Sequence, residues 1–170
     1  MNYFTLFQIP VAFAVDKAQL KHTLLTLQKQ YHPDVAKDIA QPISADMLNF
    51  GYDVLVNDDK RALYLLQLQG VDVNLDTTID DTEFLQQMMT LRMAIEEAKQ
   101  TQDSVAITDL ASEIAQLNAE YAKQFCAAYQ QALWQQAVTA ALQLRFLARL
   151  QAALQELAVT KAFDDDDLYM

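Results

Sequence analysis

Glycine and proline are scarce in this sequence, which has two glycines and three prolines among 170 residues. Tight turns and hairpins depend on these residues, so their scarcity leaves few signals for β-structure. Ala, Leu and Gln dominate instead, and all three favour helices. Hydrophobic residues make up 52% of the chain, which is enough to bury a core in one domain or two small ones. The composition therefore predicts an all-α protein.

Metal-binding and nucleophilic side chains are also few. Cys126 is the only cysteine, so neither an internal disulfide nor a Cys-rich metal cluster is possible. With His22 and His32 as the only histidines, we expect no structural zinc site. The carboxylates at 96–97 and 164–167 are typical of solvated charge on a helix or tail. The sequence therefore predicts neither a metal nor a cofactor.

Positive charge is in deficit, with a formal net charge of -11. A protein that binds the phosphate backbone needs clustered Lys and Arg, so we expect no nucleic-acid partner. No stretch approaches the 18 apolar residues of a membrane span, and the first residues lack the basic start of a signal peptide. We expect a soluble, cytoplasmic protein. Residues 1–70 hold six basic against seven acidic residues, and residues 71–170 six against sixteen, so the halves should meet different partners.

Apolar residues at helical spacing divide the first half of the chain into short helices. Asp16 with Gln19 resembles a capping box that opens one of them, and Lys21 and Lys29 lie outside its apolar stripe. Gly51 lies within a second stripe, where it should cost roughly 1 kcal/mol relative to Ala. The two stripes are Leu20, Leu24, Leu27 and Tyr31, and Leu48, Gly51, Tyr52 and Leu55.

The segment 71–81 has no helical period and carries four Asp, which predicts a linker between domains at 1–70 and 82–170. Three amphipathic stretches follow it and predict a three-helix bundle. No Gly or Pro separates the second stretch from the third, so one longer helix there is an alternative. The second and third stripes are Ile107, Leu110, Ile114, Leu117, Tyr121, Phe125 and Ala128, and Ala140, Leu144, Leu147, Leu150 and Leu154.

The first helix of the bundle carries two apolar rows. At about 100° per residue, the second row lies roughly 90° to 170° around the helix from the first. Since a helix in a three-helix bundle faces two neighbours, the second row is either more core or a binding surface. Its flexible methionine thioethers favour a binding surface. The rows are Phe84, Met88, Leu91 and Ile95, and Leu85, Met89 and Met93.

The tripeptide His32-Pro33-Asp34 interrupts the helix that carries Tyr31. Proline disfavours the α region for the residue before it, so the helix should stop around His32 and leave both polar side chains exposed. The simplest interpretation is that Pro33 ends a helix and nothing more. An acid–base pair of His32 and Asp34 in a small hydrolase is another, although neither a nucleophile partner nor a Gly-rich phosphate loop supports it.

The order of these features resembles a J domain. In that family the tripeptide, with basic residues of the preceding helix, engages a DnaK-type chaperone and stimulates its ATP hydrolysis. The resemblance implies that the contact consists of His32, Pro33 and Asp34, with Lys21 and Lys29 as electrostatic support. It rests on the short first helix, the exposed lysines, the tripeptide, the stripe of Leu48, Tyr52 and Leu55, and Lys60-Arg61 before Tyr64.

Four further segments resemble the HscB family of iron–sulfur co-chaperones across essentially the whole chain: MNYFTLF, YLLQLQG at 64–70, Phe84-Leu85 and LRFLARL at 144–150. The resemblance implies no active site and two partners, a dedicated (HscA-like) DnaK-type chaperone and an IscU-like scaffold protein on which clusters are built. Leu85, Met89 and Phe146 match the family's scaffold-binding face, and Met93 continues the same row. A J protein serving a different client, or a structural adaptor whose tripeptide tolerates substitution, remain alternatives.

Overall fold

Helices form all the regular structure in the part of the chain that the computed structural model describes, residues 1–32 and 43–166, with the backbone alone for 157–166. The predicted all-α class is confirmed. The helices are α1 (Tyr3–Leu6), α2 (Lys17–Gln30), α3 (Ala45–Val56), α4 (Asp58–Leu68), α5 (Thr82–Thr101), α6 (Ser104–Gln130) and α7 (Trp134–Asp166). They fall into two compact units, an N-terminal unit, Met1–Val73, and a C-terminal unit, Asn74–Met170. The domain bounds 1–70, 71–81 and 82–170 stay a prediction.

The N-terminal unit is built on α3, which packs against α1, α2 and α4. Asp16 begins α2 by accepting hydrogen bonds from the backbone N–H groups of Ala18 and Gln19, at 2.9 and 3.0 Å. Ser44 caps α3 in the same way. Both predicted stripes face the interior, with Leu20, Leu27, Leu48, Gly51 and Leu55 buried.

Gly51 is the point at which α1 approaches the backbone of α3. A methyl group added at Gly51 would lie 2.7 Å from Cδ1 of Tyr3 and 3.2 Å from Cε2 of Phe7. The Tyr3 ring is held in place, since its backbone N–H donates to the Tyr64 hydroxyl at 3.1 Å and the two rings are 5.0 Å apart. The glycine therefore serves a close contact that the sequence alone did not indicate.

Replacing Gly51 with Ala is expected to destabilise the protein even though Ala favours helices. Helix propensity gains about 1 kcal/mol, while forcing a methyl group into a packed contact costs about 1–3 kcal/mol. The difference is a net loss of up to about 2 kcal/mol, measured by urea denaturation. In a Tyr3→Ala background the loss should shrink. A gain in stability from Gly51→Ala alone would contradict the contact.

The C-terminal unit is a bundle of α5, α6 and α7, as predicted. Asp81 caps α5 through the Phe84 N–H at 3.0 Å, and Asp103 caps α6 through the N–H groups of Val105 and Ala106. Helix α5 packs on both α6 and α7, which also pack on each other. One hydrophobic cluster in its core consists of Phe84, Met88, Leu91, Ile95, Ala98, Leu110, Ile114, Leu147, Leu150 and Leu154.

Helices α6 and α7 are separate, although no glycine or proline marks the break. Ala132 adopts the left-handed conformation with φ 55°. The Leu133 N–H donates to the Ala128 carbonyl at 2.9 Å and the Ala132 N–H to the Tyr129 carbonyl at 3.1 Å, the two bonds of a Schellman motif. The rings of Tyr129 and Trp134 also pack edge-to-face across the break, 5.8 Å apart. The alternative of one longer helix is therefore wrong.

Candidate interaction surfaces

Helix α2 ends directly before the tripeptide, as the proline rule predicts. Gln30 is its last residue, Tyr31 is the C-cap with its N–H donating to the Leu27 carbonyl, and His32 follows as an exposed residue. Pro33 and Asp34 lie outside the described residues. The position of His32 at an exposed helix end agrees with a role in contacting another protein.

Two exposed lysines lie on the same helix. Lys21 and Lys29 are eight residues apart, which places them about 12 Å apart along the helix axis. A third lysine of α2 differs, because Lys17 forms an ion pair with Asp58 at 3.2 Å and is engaged within the N-terminal unit. Lys21 and Lys29 are therefore exposed basic side chains on the helix that ends just before His32.

Arg61 is a buried arginine whose role sequence reasoning missed. It is 3% exposed and donates to three oxygens, the Leu55 carbonyl at 2.7 Å, the Phe13 carbonyl at 2.6 Å and Asp58 Oδ1 at 2.8 Å. Its guanidinium also stacks 4.5 Å from the centre of the Phe13 ring. Burial lowers the pKa of Arg61, while the Asp58 carboxylate opposes that shift.

The hydrogen bonds of Arg61 join three segments: the end of α3 at Leu55, the first turn of α4 at Asp58, and the segment before α2 at Phe13. The Asp58-to-Arg61 spacing in the sequence indicates an i,i+3 ion pair on a helix, but it does not indicate burial. Burial also raises the pKa of the neighbouring Asp59 carboxyl, although the backbone hydrogen bond and the charge of Lys60 act to lower it. Through Phe13, Arg61 holds the segment that precedes α2, the helix that ends two residues before His32.

The two apolar rows of α5 differ in exposure, since one is buried in the bundle and the other faces solvent. Phe84, Met88, Leu91 and Ile95 are at most 3% exposed and form the bundle core. Leu85 is 39% exposed, Met89 67% and Met93 66%. The interpretation of the second row as additional core is therefore wrong, and we call Leu85, Met89 and Met93 the exposed row.

Phe146 differs from the other three residues of the predicted scaffold-binding face. It is half-buried and packs edge-on against Phe84, with ring centres 5.9 Å apart and planes at 82°. Tyr121 contacts Phe84 in the same manner at 5.3 Å, and burial together with the nearby Asp81 charge raises its pKa. Phe146 therefore stabilises the bundle and offers a partner only part of its ring.

Among the described residues, the remaining candidates do not form a metal site. Cys126 is partly buried and its Sγ accepts from the Gln130 amide at 3.5 Å. Across the described residues, no group of His, Cys, Asp and Glu side chains is arranged to hold a metal ion. The side chains of 164–167 lie outside that description. Every helix in the described ranges is also too short or too polar to cross a membrane.

Comparison with known proteins identifies relatives over the whole length. A family model described as the HSCB C-terminal oligomerisation domain matches residues 80–155. A co-chaperone protein HscB homolog from Acinetobacter baumannii (strain SDF) is 36% identical over 170 residues, covering 99% of this chain and 96% of that protein. Chaperone HscB from Vibrio cholerae has a TM-score of 0.75 at 27% identity, covering 94% of this chain and 99% of that one. Human co-chaperone HscB shares the fold, with a TM-score of 0.75 at 23% identity and coverage of 95% and 82%.

Proposed function

The chain belongs to the HscB family of co-chaperones, and from that premise we propose that it stimulates the ATPase of a DnaK-type (HscA-like) chaperone and delivers an IscU-like iron–sulfur scaffold protein to it. The relatives are named as co-chaperones, and the chain is likewise not an enzyme. ATP is then cleaved on the chaperone. In this proposal a J domain at 1–70 meets the chaperone, 71–81 is the linker, and the bundle at 82–170 holds the scaffold in the cytoplasm.

The chaperone contact is assigned to His32, Pro33 and Asp34, supported by Lys21 and Lys29. Support comes from the exposure of His32 at the end of α2 and of both lysines along that helix. Long-range attraction between lysines and an acidic partner mainly raises the association rate, and it weakens with salt. In this proposal the lysines speed association with the chaperone, while the tripeptide makes the specific contact.

The exposed row is the single observation that best supports scaffold binding. Burying a whole Leu or Met side chain contributes about 1.5–3 kcal/mol. Scaled by the exposed fractions of 39%, 67% and 66%, the row supplies a gross gain of about 3–5 kcal/mol. A micromolar complex needs about 8 kcal/mol after association costs. The row therefore forms the apolar centre of a larger contact.

The rest of that contact is proposed to be polar and to continue along α5. Arg92 and Glu96 lie seven residues beyond Leu85 and Met89, so they occupy nearly the same arc of the helix two turns later. Both are exposed. Apolar anchors surrounded by charged residues are typical of transient protein interfaces. The exposed part of the Phe146 ring completes the proposed face.

The double variant Leu85→Ala with Met89→Ala tests this surface. Met89 is 67% and Leu85 39% exposed, so the bundle should lose little stability and remain folded, whereas Phe146→Ala would also remove packing against Phe84. We expect the scaffold protein to bind about 10- to 70-fold more weakly by calorimetry, since about 1.5–2.5 kcal/mol of burial is lost.

Val105→Ala is the matched control, because Val105 is 69% exposed on α6 of the same bundle but lies outside the proposed face. It should leave the affinity for the scaffold unchanged. Sedimentation of each variant alone checks that self-association does not account for the difference. Equal binding by the double variant and the wild type would exclude the exposed row as the scaffold-binding face.

A further inference from the structure

Two methionine thioethers lie one turn apart in the exposed row. Met89 and Met93 are 67% and 66% exposed, while Met88, the residue directly before Met89, is 1% exposed. Met47, in the N-terminal unit, is partly buried, and Met1 at 83% is the other strongly exposed methionine among the described residues. Solvent-borne oxidants therefore reach sulfur at two positions of the proposed docking surface and are kept from the neighbouring core methionine.

We propose that Met89 and Met93 form a reversible oxidation site, and that their conversion to methionine sulfoxide by a peroxide switches scaffold docking off. The inference rests on the proposed function, because it assigns a regulatory chemistry to the same surface. In each step a thioether sulfur attacks one oxygen of hydrogen peroxide. The S–O bond forms as the O–O bond breaks, proton transfer completes a molecule of water, and sulfur loses two electrons that the peroxide gains.

Oxidation affects docking because it converts apolar methionine side chains of the exposed row into polar ones. A sulfoxide oxygen is a strong hydrogen-bond acceptor, and burying it against an apolar partner without a donor is unfavourable. Two of the three side chains in the row change in this way. The fold is not threatened, since both sulfurs lie on the solvent side of α5 and the core row of that helix stays shielded.

The site is also suited to repair. Methionine sulfoxide reductases act on each of the two sulfoxide epimers, and they need access to the side chain. Exposure of about two thirds at both residues gives that access in the unbound protein. A buried methionine such as Met88 would require local unfolding for both oxidation and repair.

The experiment treats the full-length protein with hydrogen peroxide, maps sulfoxides by peptide mass spectrometry and measures binding of the scaffold protein by calorimetry. Each variant is compared with its own untreated sample. For the wild type we expect oxidation at Met89 and Met93 but not Met88, and binding weakened about 10- to 100-fold. Reductase treatment should restore the untreated affinity.

The variant Met89→Leu with Met93→Leu removes both sulfurs, so its affinity should not change on peroxide treatment, whatever its starting value. Met47→Leu is the matched control and should remain as sensitive as the wild type. Unchanged binding after both methionines are oxidised, or equal peroxide sensitivity in the double leucine variant, would overturn the switch alone. Failure of the untreated wild type to bind the scaffold would overturn the proposed function, and the switch with it.

Discussion

His32→Gln is expected to abolish the stimulation of the chaperone's ATPase and to leave binding of the scaffold protein intact. His32 is exposed at the end of α2, outside the buried core of the N-terminal unit. The substitution therefore changes the contacting group without creating a cavity, and glutamine lacks the imidazole. The steady-state rate of ATP hydrolysis by the chaperone, with and without the variant, measures the effect.

The chain supplies a matched control for this substitution. His22 is the other histidine of the chain. It is exposed in the first half of α2, away from the tripeptide that follows this helix. His22→Gln should stimulate the ATPase as the wild type does. Both variants should unfold at the same urea concentration as the wild type. Full stimulation by His32→Gln would refute the assignment of the chaperone contact.

Arg61→Met is expected to destabilise the N-terminal unit by about 3–5 kcal/mol, the usual cost of removing one partner from a buried ion pair. The substitution removes the ion pair of Arg61 with the Asp58 carboxylate, and the Leu55 and Phe13 carbonyls lose their Arg61 donor. Urea denaturation followed by circular dichroism measures the loss. Binding of the scaffold should survive, because the exposed row belongs to the C-terminal unit.

The adjacent lysine gives the control. Lys60 also pairs with a carboxylate, Asp53 at 2.6 Å, but both side chains are 47% exposed. Solvent screens such a pair, so Lys60→Met should cost less than about 1 kcal/mol. Equal losses from Arg61→Met and Lys60→Met would contradict the view that burial makes Arg61 the stabilising residue.

Helix starts could be predicted from the sequence more reliably than helix ends. Asp16, Asp81 and Asp103 act as N-caps through hydrogen bonds to residues two or three positions ahead, so the signal is local. Gly70, which follows the C-cap Gln69 of α4, has φ 72°, the left-handed conformation that favours glycine after a helix. The break between α6 and α7 was predicted only from the apolar pattern, because an alanine, Ala132, holds the left-handed position and ring packing supports it.

The helical wheel separated the two rows of α5, but it could not decide which of them the neighbouring helices cover. That choice depends on contacts between residues far apart in the chain, such as Phe84 with Phe146. The same limit applies to Gly51, whose neighbour is Tyr3, and to Arg61, which reaches Phe13. Resemblance identified exposed apolar positions at Leu85 and Met89, while the partial burial of Phe146 needed the structure.

The central claim is that separate surfaces meet the chaperone and the scaffold protein. The most direct test measures the chaperone's ATPase with the co-chaperone alone and with the scaffold added, for the wild type, His32→Gln and the Leu85→Ala, Met89→Ala double variant. We predict no stimulation by His32→Gln in either condition, and loss of only the scaffold-dependent part in the double variant. If the double variant also loses the scaffold-independent stimulation while remaining folded, the two surfaces are not separate and the claim is wrong.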